Sequence, residues 1–270
     1  MINVKIIYIL LISSFISAGS CDKKFNTNSD YKSNSMQTQE NLKILSTMKI
    51  YFGHQSVGYN MMGGVQDLLA DNPEYNLIIA KTKDHRQFNK AIFAHSPNGR
   101  NLDPISKIDD FASTMNNGIG GKADVAFFKF CYVDFNSNTN IKEIFDKYRN
   151  EMAGLKSKYP ETLLIHVTVP LTSEHGLKGF IKKILGKDFN PERTKFNNFI
   201  KEAYAPSLIF DLADIESTFP DGGKNFSTKG SEKIFYLVPE YTDDGGHLNS
   251  IGRKIIAEKF ISFLSTHAKR

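Results

Sequence analysis

Two short stretches near opposite ends of the chain carry side chains that could perform acyl-transfer chemistry together. Asp244-Gly245-Gly246-His247 sets a carboxylate three residues before an imidazole, just ahead of an amphipathic run, and so offers an oriented general base. His54-Gln55-Ser56-Val57-Gly58 follows the first strand-like run of the chain and offers a hydroxyl. A serine hydroxyl is a weak nucleophile at neutral pH, so attack on a carbonyl needs a base to take its proton and a carboxylate to fix that base's tautomer. Ser56, His247 and Asp244 are the candidates for those three roles, with Asp243 competing for the last. A plainer reading stands beside this one: Ser56 as a helix cap and Asp-Gly-Gly as a turn.

These residues need a frame that brings them together. Apolar runs of strand length, at residues 48–52, 76–80, 123–130, 163–169 and 208–212, alternate with helical periodicity at 57–69, 104–115, 141–159, 192–204 and 251–264. Continuous apolar strands separated by crossover helices predict an α/β fold with a mainly parallel five-stranded sheet covered on both faces. Ligands of such sheets bind at the carboxyl ends of the strands. Ser56 follows the first strand, and Asp244 and His247 lie in the long loop after the fifth, so both motifs are expected on one rim. Asn249 or Ser250 is placed to cap the last helix and hold that loop.

The remaining composition narrows the class. The chain has 270 residues, and its 34 basic against 29 acidic side chains show no dense Lys/Arg block, so no nucleic-acid partner is expected. Lys5, the apolar run 6–16 and the small residues after it read as a signal peptide over 1–20. Ala18-Gly19-Ser20-Cys21 is similar to a bacterial lipobox, which implies lipidation at Cys21, membrane attachment through that lipid and a place in the bacterial cell envelope. Plain secretion and an uncleaved anchor are the rival readings. Residues 21–41, almost free of large apolar side chains, are expected to be a disordered tether, and 42–270 a single domain. Cys131 ends an apolar run and reads as a buried, inert thiol.

The motifs resemble those of the SGNH, or GDSL-type, hydrolases, a family of esterases and lipases with a flavodoxin-like three-layer α/β/α sandwich. His54-Gln55-Ser56 stands where many members have Gly-Asp-Ser and a sialate-esterase-like branch has Gly-Gln-Ser. Asp244-x-x-His247 is similar to the family's acid and base, Asp124-Val125-Ala126-Phe127-Phe128 to the strand leading into its Gly-x-Asn-Asp block, and Leu208 to Leu212 to its late strand. The resemblance implies a serine esterase with Ser56, His247 and Asp244 as the triad and no cofactor. It also implies an oxyanion donor from the Asn of Gly-x-Asn-Asp. Here that block reads Cys131-Tyr132-Val133-Asp134, so the amide is missing. The Ser56 N–H, the Gly99 N–H and the Asn101 amide are the expected substitutes, with Gln55 as a substrate contact and His54 as either a substrate contact or a side chain that fills a gap.

Several other features admit two readings. His54, His85, His95, Asp103, His166 and His175 lack metal-ligand spacing, so no metal site is expected, and His166, inside an apolar strand, reads as a hydrogen-bonded core residue. Tyr59, Tyr132 or Tyr241 could stack on a sugar. The Lys-rich stretch 178–187 reads as a surface helix or lid, or as a membrane-lying helix. The expected activity is hydrolysis of ester groups, O-acetyl groups on carbohydrate among them, with a small-molecule or polysaccharide ester as partner. The alternatives are acyl transfer to a polysaccharide and a non-catalytic glycan-binding surface lipoprotein.

Overall fold

The computed structural model describes residues 27–174 and 188–268. The signal peptide, Cys21, His175 and the Lys-rich stretch through Lys187 lie outside the described residues. In chain order the elements that build the frame are α1 (Thr27–Leu45), β1 (Lys49–His54), α2 (Val57–Ala70), β2 (Ile79–Lys81), β3 (Ile92–Pro97), α3 (Pro104–Thr114), β4 (Val125–Phe128) and α4 (Ile141–Lys158). They continue with β5 (Leu163–Leu164), β6 (His166–Val167), α5 (Asn190–Ala203), β7 (Ile209–Phe210), α6 (Leu212–Glu216), the hairpin β8 (Phe226–Lys229) and β9 (Glu232–Phe235), and α7 (Ser250–Ser265).

Five strands form a parallel sheet in the order β2-β3-β1-β4-β5, and β6 pairs in parallel with β7 just beyond it. Side chains alternate across this sheet with the period of two that a strand imposes. Ile50, Phe52, Phe93, Val125 and Phe127 face one core with Met61, Val65, Ile256 and Phe260, while Tyr51, Ala94, Ala126 and Phe128 face another with Ile108, Phe111, Tyr148 and Phe196. Helices α1, α2 and α7 thus cover one face and α3, α4 and α5 the other, which makes a three-layer α/β/α sandwich. Phe52, Phe127 and Phe260 meet at ring separations of 4.8, 5.6 and 5.8 Å. Burying each such ring contributes about 1.5–3 kcal/mol.

The helices predicted from periodicity are all present, with ends shifted by only a few residues. Three features differ. Ile92–Pro97 is an inner strand that the alternation did not disclose, because its short Ile-Phe-Ala run ends in His95, Ser96 and Pro97, which interrupt the apolar pattern. The hairpin β8–β9 lies within what read as one long loop. The polar stretch expected to be a tether through residue 41 is instead helical from Thr27: Asn41, Leu42 and Leu45 are buried, and Ser265 Oγ donates to Asn41 Oδ1 at 2.8 Å. Composition alone could not supply that partner helix.

Helices α2 and α7 pack closely against each other. Gly64 of α2 sits so close to α7 that a Cβ there would lie 2.5 Å from the Arg253 carbonyl oxygen and 2.8 Å from Ala257 Cβ. Arg253 also pairs with Asp67 at 2.6 Å. Because α2 begins one residue after Ser56 and α7 three residues after His247, this contact draws the two motifs together.

Candidate active site

Ser56 is the turn between β1 and α2, with φ 48° and ψ −111°. A non-glycine residue there is strained, at a cost of about 1–3 kcal/mol, and strain of this kind lifts a side chain clear of the strand it follows. The local sequence makes the turn possible. A Cβ on Gly58 would come within 2.4–2.6 Å of the His54 side chain, so only glycine lets the first turn of α2 fold back over the end of β1. The Gly58 and Tyr59 N–H groups donate to the Gln55 and Ser56 carbonyls at 2.9 and 2.8 Å and close that turn. Ser56 therefore does not cap α2 through its side chain.

The hydroxyl is directed instead at the distant loop. Ser56 Oγ lies 2.6 Å from His247 Nε2, and His247 Nδ1 lies 2.6 Å from Asp244 Oδ2. The other oxygen of Asp244 accepts the backbone N–H groups of His247 and Gly246 at 2.8 and 2.9 Å, so one carboxylate folds its own loop and orients the ring. Partial desolvation pushes the Asp244 carboxyl up, but the hydrogen bonds from the His247 ring and backbone and from Gly246 outweigh it and hold the group well below the usual carboxylate range. Asp243 turns away to accept from Asn249 Nδ2 at 3.1 Å. Asn249 caps α7 through the Ile251 and Gly252 N–H groups, both at 3.1 Å, and Asn60 of α2 accepts the Leu248 N–H at 3.2 Å, which ties the Asp244–His247 loop to the helix that follows Ser56.

The other expected site residues fall elsewhere. The Gly99 N–H donates to Asp110 Oδ2 at 2.8 Å and is therefore not available to an oxyanion. Asn101 is exposed, and its side-chain oxygen accepts from Lys107 Nζ at 3.0 Å. Gln55 Nε2 donates to the carbonyls of Asn98 and Gly99, bracing the loop after β3. His54 is fully buried and pairs through Nε2 with His95 Nδ1 at 2.9 Å, which removes it from any substrate contact. Tyr241 is buried too, with its hydroxyl donating to the Thr218 carbonyl at 2.8 Å, so it offers no sugar platform. His166 hydrogen-bonds Tyr148 at 2.7 Å inside the core, and Cys131 is fully buried.

One neighbour of His247 reads in the sequence only as a stacking residue. Tyr132, in a short turn after β4, brings its hydroxyl to 3.5 Å from His247 Nε2, the nitrogen that faces Ser56 Oγ. Its ring stands edge-on to the His247 ring at 5.7 Å. The signal was its place just past a strand's carboxyl end, on the rim where ligands bind.

No protein-family model matches the chain, and no curated protein matches it in sequence. Solved structures resemble it in fold. A candidate platelet activating factor from Streptococcus pneumonia aligns at 15% identity with a TM-score of 0.50, over 88% of this chain and 95% of that one. A carbohydrate esterase family 3 protein from Talaromyces cellulolyticus aligns at 16% identity and TM-score 0.47, over 80% and 96%. A candidate GDSL-like lipase from Parabacteroides merdae aligns at 11% and 0.46, over 83% and 97%. At these identities the likeness is one of fold alone, reaching a TM-score of 0.50 for the first of these structures.

Proposed function

We propose that the protein is a serine esterase in which Ser56 is the nucleophile, His247 the general base and Asp244 the group that orients and charge-stabilises the imidazole. The continuous hydrogen-bonded path from Ser56 through His247 to Asp244, starting at a strained turn, carries this reading. Asp244 holds the proton on Nδ1 and leaves the Nε2 lone pair facing the hydroxyl. As Oγ bonds to the ester carbonyl carbon, its proton passes to Nε2 and the carbonyl becomes an oxyanion. Collapse breaks the bond to the alcohol oxygen, which takes the proton from His247. Water then gives a proton to the same nitrogen, attacks the acyl-enzyme and releases the carboxylic acid, restoring Ser56. The Ser56 N–H is the proposed backbone donor to the oxyanion.

The similarity of Gln55-Ser56 to the sialate-esterase-like branch supports O-acetyl groups on carbohydrate as the substrate class. The signal-like N-terminus and the lipobox around Cys21 support export and lipid anchoring in the cell envelope. Purified protein is expected to release acetate from acetylated oligosaccharides and p-nitrophenyl acetate, with Ser56→Ala about 10⁴-fold or more slower. Equal rates for wild type and Ser56→Ala would overturn the proposal.

A further inference from the structure

We propose that the Tyr132 hydroxyl is the second oxyanion donor, replacing the side-chain amide missing from Cys131-Tyr132-Val133-Asp134. The inference rests on Ser56 being the nucleophile and goes beyond it by assigning a donor that the triad does not supply. The hydroxyl lies 3.5 Å from His247 Nε2, the same nitrogen that Ser56 Oγ, the oxygen that becomes bonded to the carbonyl carbon, meets at 2.6 Å. In the tetrahedral adduct the oxyanion sits on that same carbon, so a phenol that shares His247 Nε2 with the serine oxygen stands on the side from which the new charge can be met. His247 Nε2, at 3.5 Å, is close enough to share the site but too far to hold the hydroxyl strongly.

Preorganisation is what makes such a donor effective, and Tyr132 is held from several sides. Arg193, buried and charged, donates through Nε to the Tyr132 carbonyl at 2.8 Å and places its guanidinium 5.6 Å from the ring centroid. Two residues on, Asp134 is buried in an ion pair with Lys107 at 2.6 Å and accepts the Cys131 N–H at 2.6 Å, fixing the start of the same turn. On the opposite side, a Cβ at Gly246 would lie 2.9–3.0 Å from Cζ, Cε1 and the hydroxyl of Tyr132. The second glycine of Asp-Gly-Gly-His thus makes room for this ring. Burial first, then the negative charge of Asp244, pushes the phenol pKa up, so the hydroxyl keeps the proton it must donate.

The test uses a fluorophosphonate, which forms an Oγ–P bond, breaks P–F and places its phosphoryl oxygen in the oxyanion site while His247 takes the serine proton. Labelling rates of wild type, Ser56→Ala and Tyr132→Phe are measured across pH, with melting curves confirming that each variant is folded. Tyr132→Phe is expected to label about 10²–10³-fold more slowly, with the acid limb of the pH–rate profile unmoved. Labelling within about threefold of wild type would overturn the donor role and leave the triad standing. A slow Tyr132→Phe whose acid limb shifts would also overturn it, by making Tyr132 a positioning residue for His247. An unlabelled wild type, or equal labelling of Ser56→Ala, would remove the triad and this inference together.

Discussion

His54 and His247 both lie beside Ser56, one two residues before it in sequence and the other 2.6 Å away in space. Their environments differ in every respect that governs proton affinity. His247 is half-exposed and bonded to a carboxylate. His54 is sealed under Gly58, stacked parallel on His95 at 5.1 Å, and its hydrogen-bond partner is another imidazole. Burial, and after it the charges of Lys129, His95 and Lys81, pushes its pKa down to about 2. The proposed general base needs a partner for its far nitrogen and an open near side, and of the two rings only His247 has a carboxylate behind it and Ser56 in front. Nearness to the nucleophile in sequence is no guide to that property.

The contrast can be broken most sharply at Asp244. Asp244→Asn would offer an N–H to Nδ1 and favour the tautomer that protonates Nε2, turning the base away from Ser56. The rate of p-nitrophenyl acetate hydrolysis is expected to fall about 10²–10⁴-fold with the fold intact. Retained activity would mean that the carboxylate is not what distinguishes the two rings. Gly58→Ala acts on the other side of the comparison, since its methyl would strike His54. It is expected to cost about 1–3 kcal/mol in urea denaturation and to slow turnover through displacement of Ser56. A neutral result would show that the seal over His54 is loose.

The third test leaves activity aside and reads a pH slope. An unfolded chain protonates His54 near its ordinary pKa of 6.5, whereas the folded protein does not until about pH 2. The unfolded state therefore binds more protons in that window, and folding stability falls as pH drops through it, by about 1.4 kcal/mol per unit from this one ring. Urea titrations at pH 7, 6, 5 and 4 should show that His54→Phe lessens the slope by that amount. An unchanged slope would mean that His54 is charged in the folded state.

Much of the frame was legible because it is local. The apolar stripe Ile141, Ile144, Phe145, Tyr148, Met152, Leu155 is a property of one segment, and the helix Ile141–Lys158 buries those same residues. The strand Ile92–Pro97 was not legible, since its position between β1 and β2 rather than its own pattern makes it a strand. The expected Gly99 donor failed for a related reason. Whether a backbone N–H is free depends on what packs nearby, and Asp110 from α3 takes it.

The sequence by itself determined the two motifs, their order, the helices that follow them and the rim on which a parallel sheet must set them. It also determined the spacing by which Asp244 can reach both the backbone and the ring of His247. Only the tertiary structure decided that the Gly64 contact between α2 and α7 joins residues 191 apart in the chain, that His54 is buried and Asp243 turned aside, and that the Tyr132 hydroxyl comes to His247 Nε2. Periodicity and spacing report what neighbours along the chain can do. Burial, charge and hydrogen-bond availability are set by groups that only folding brings near.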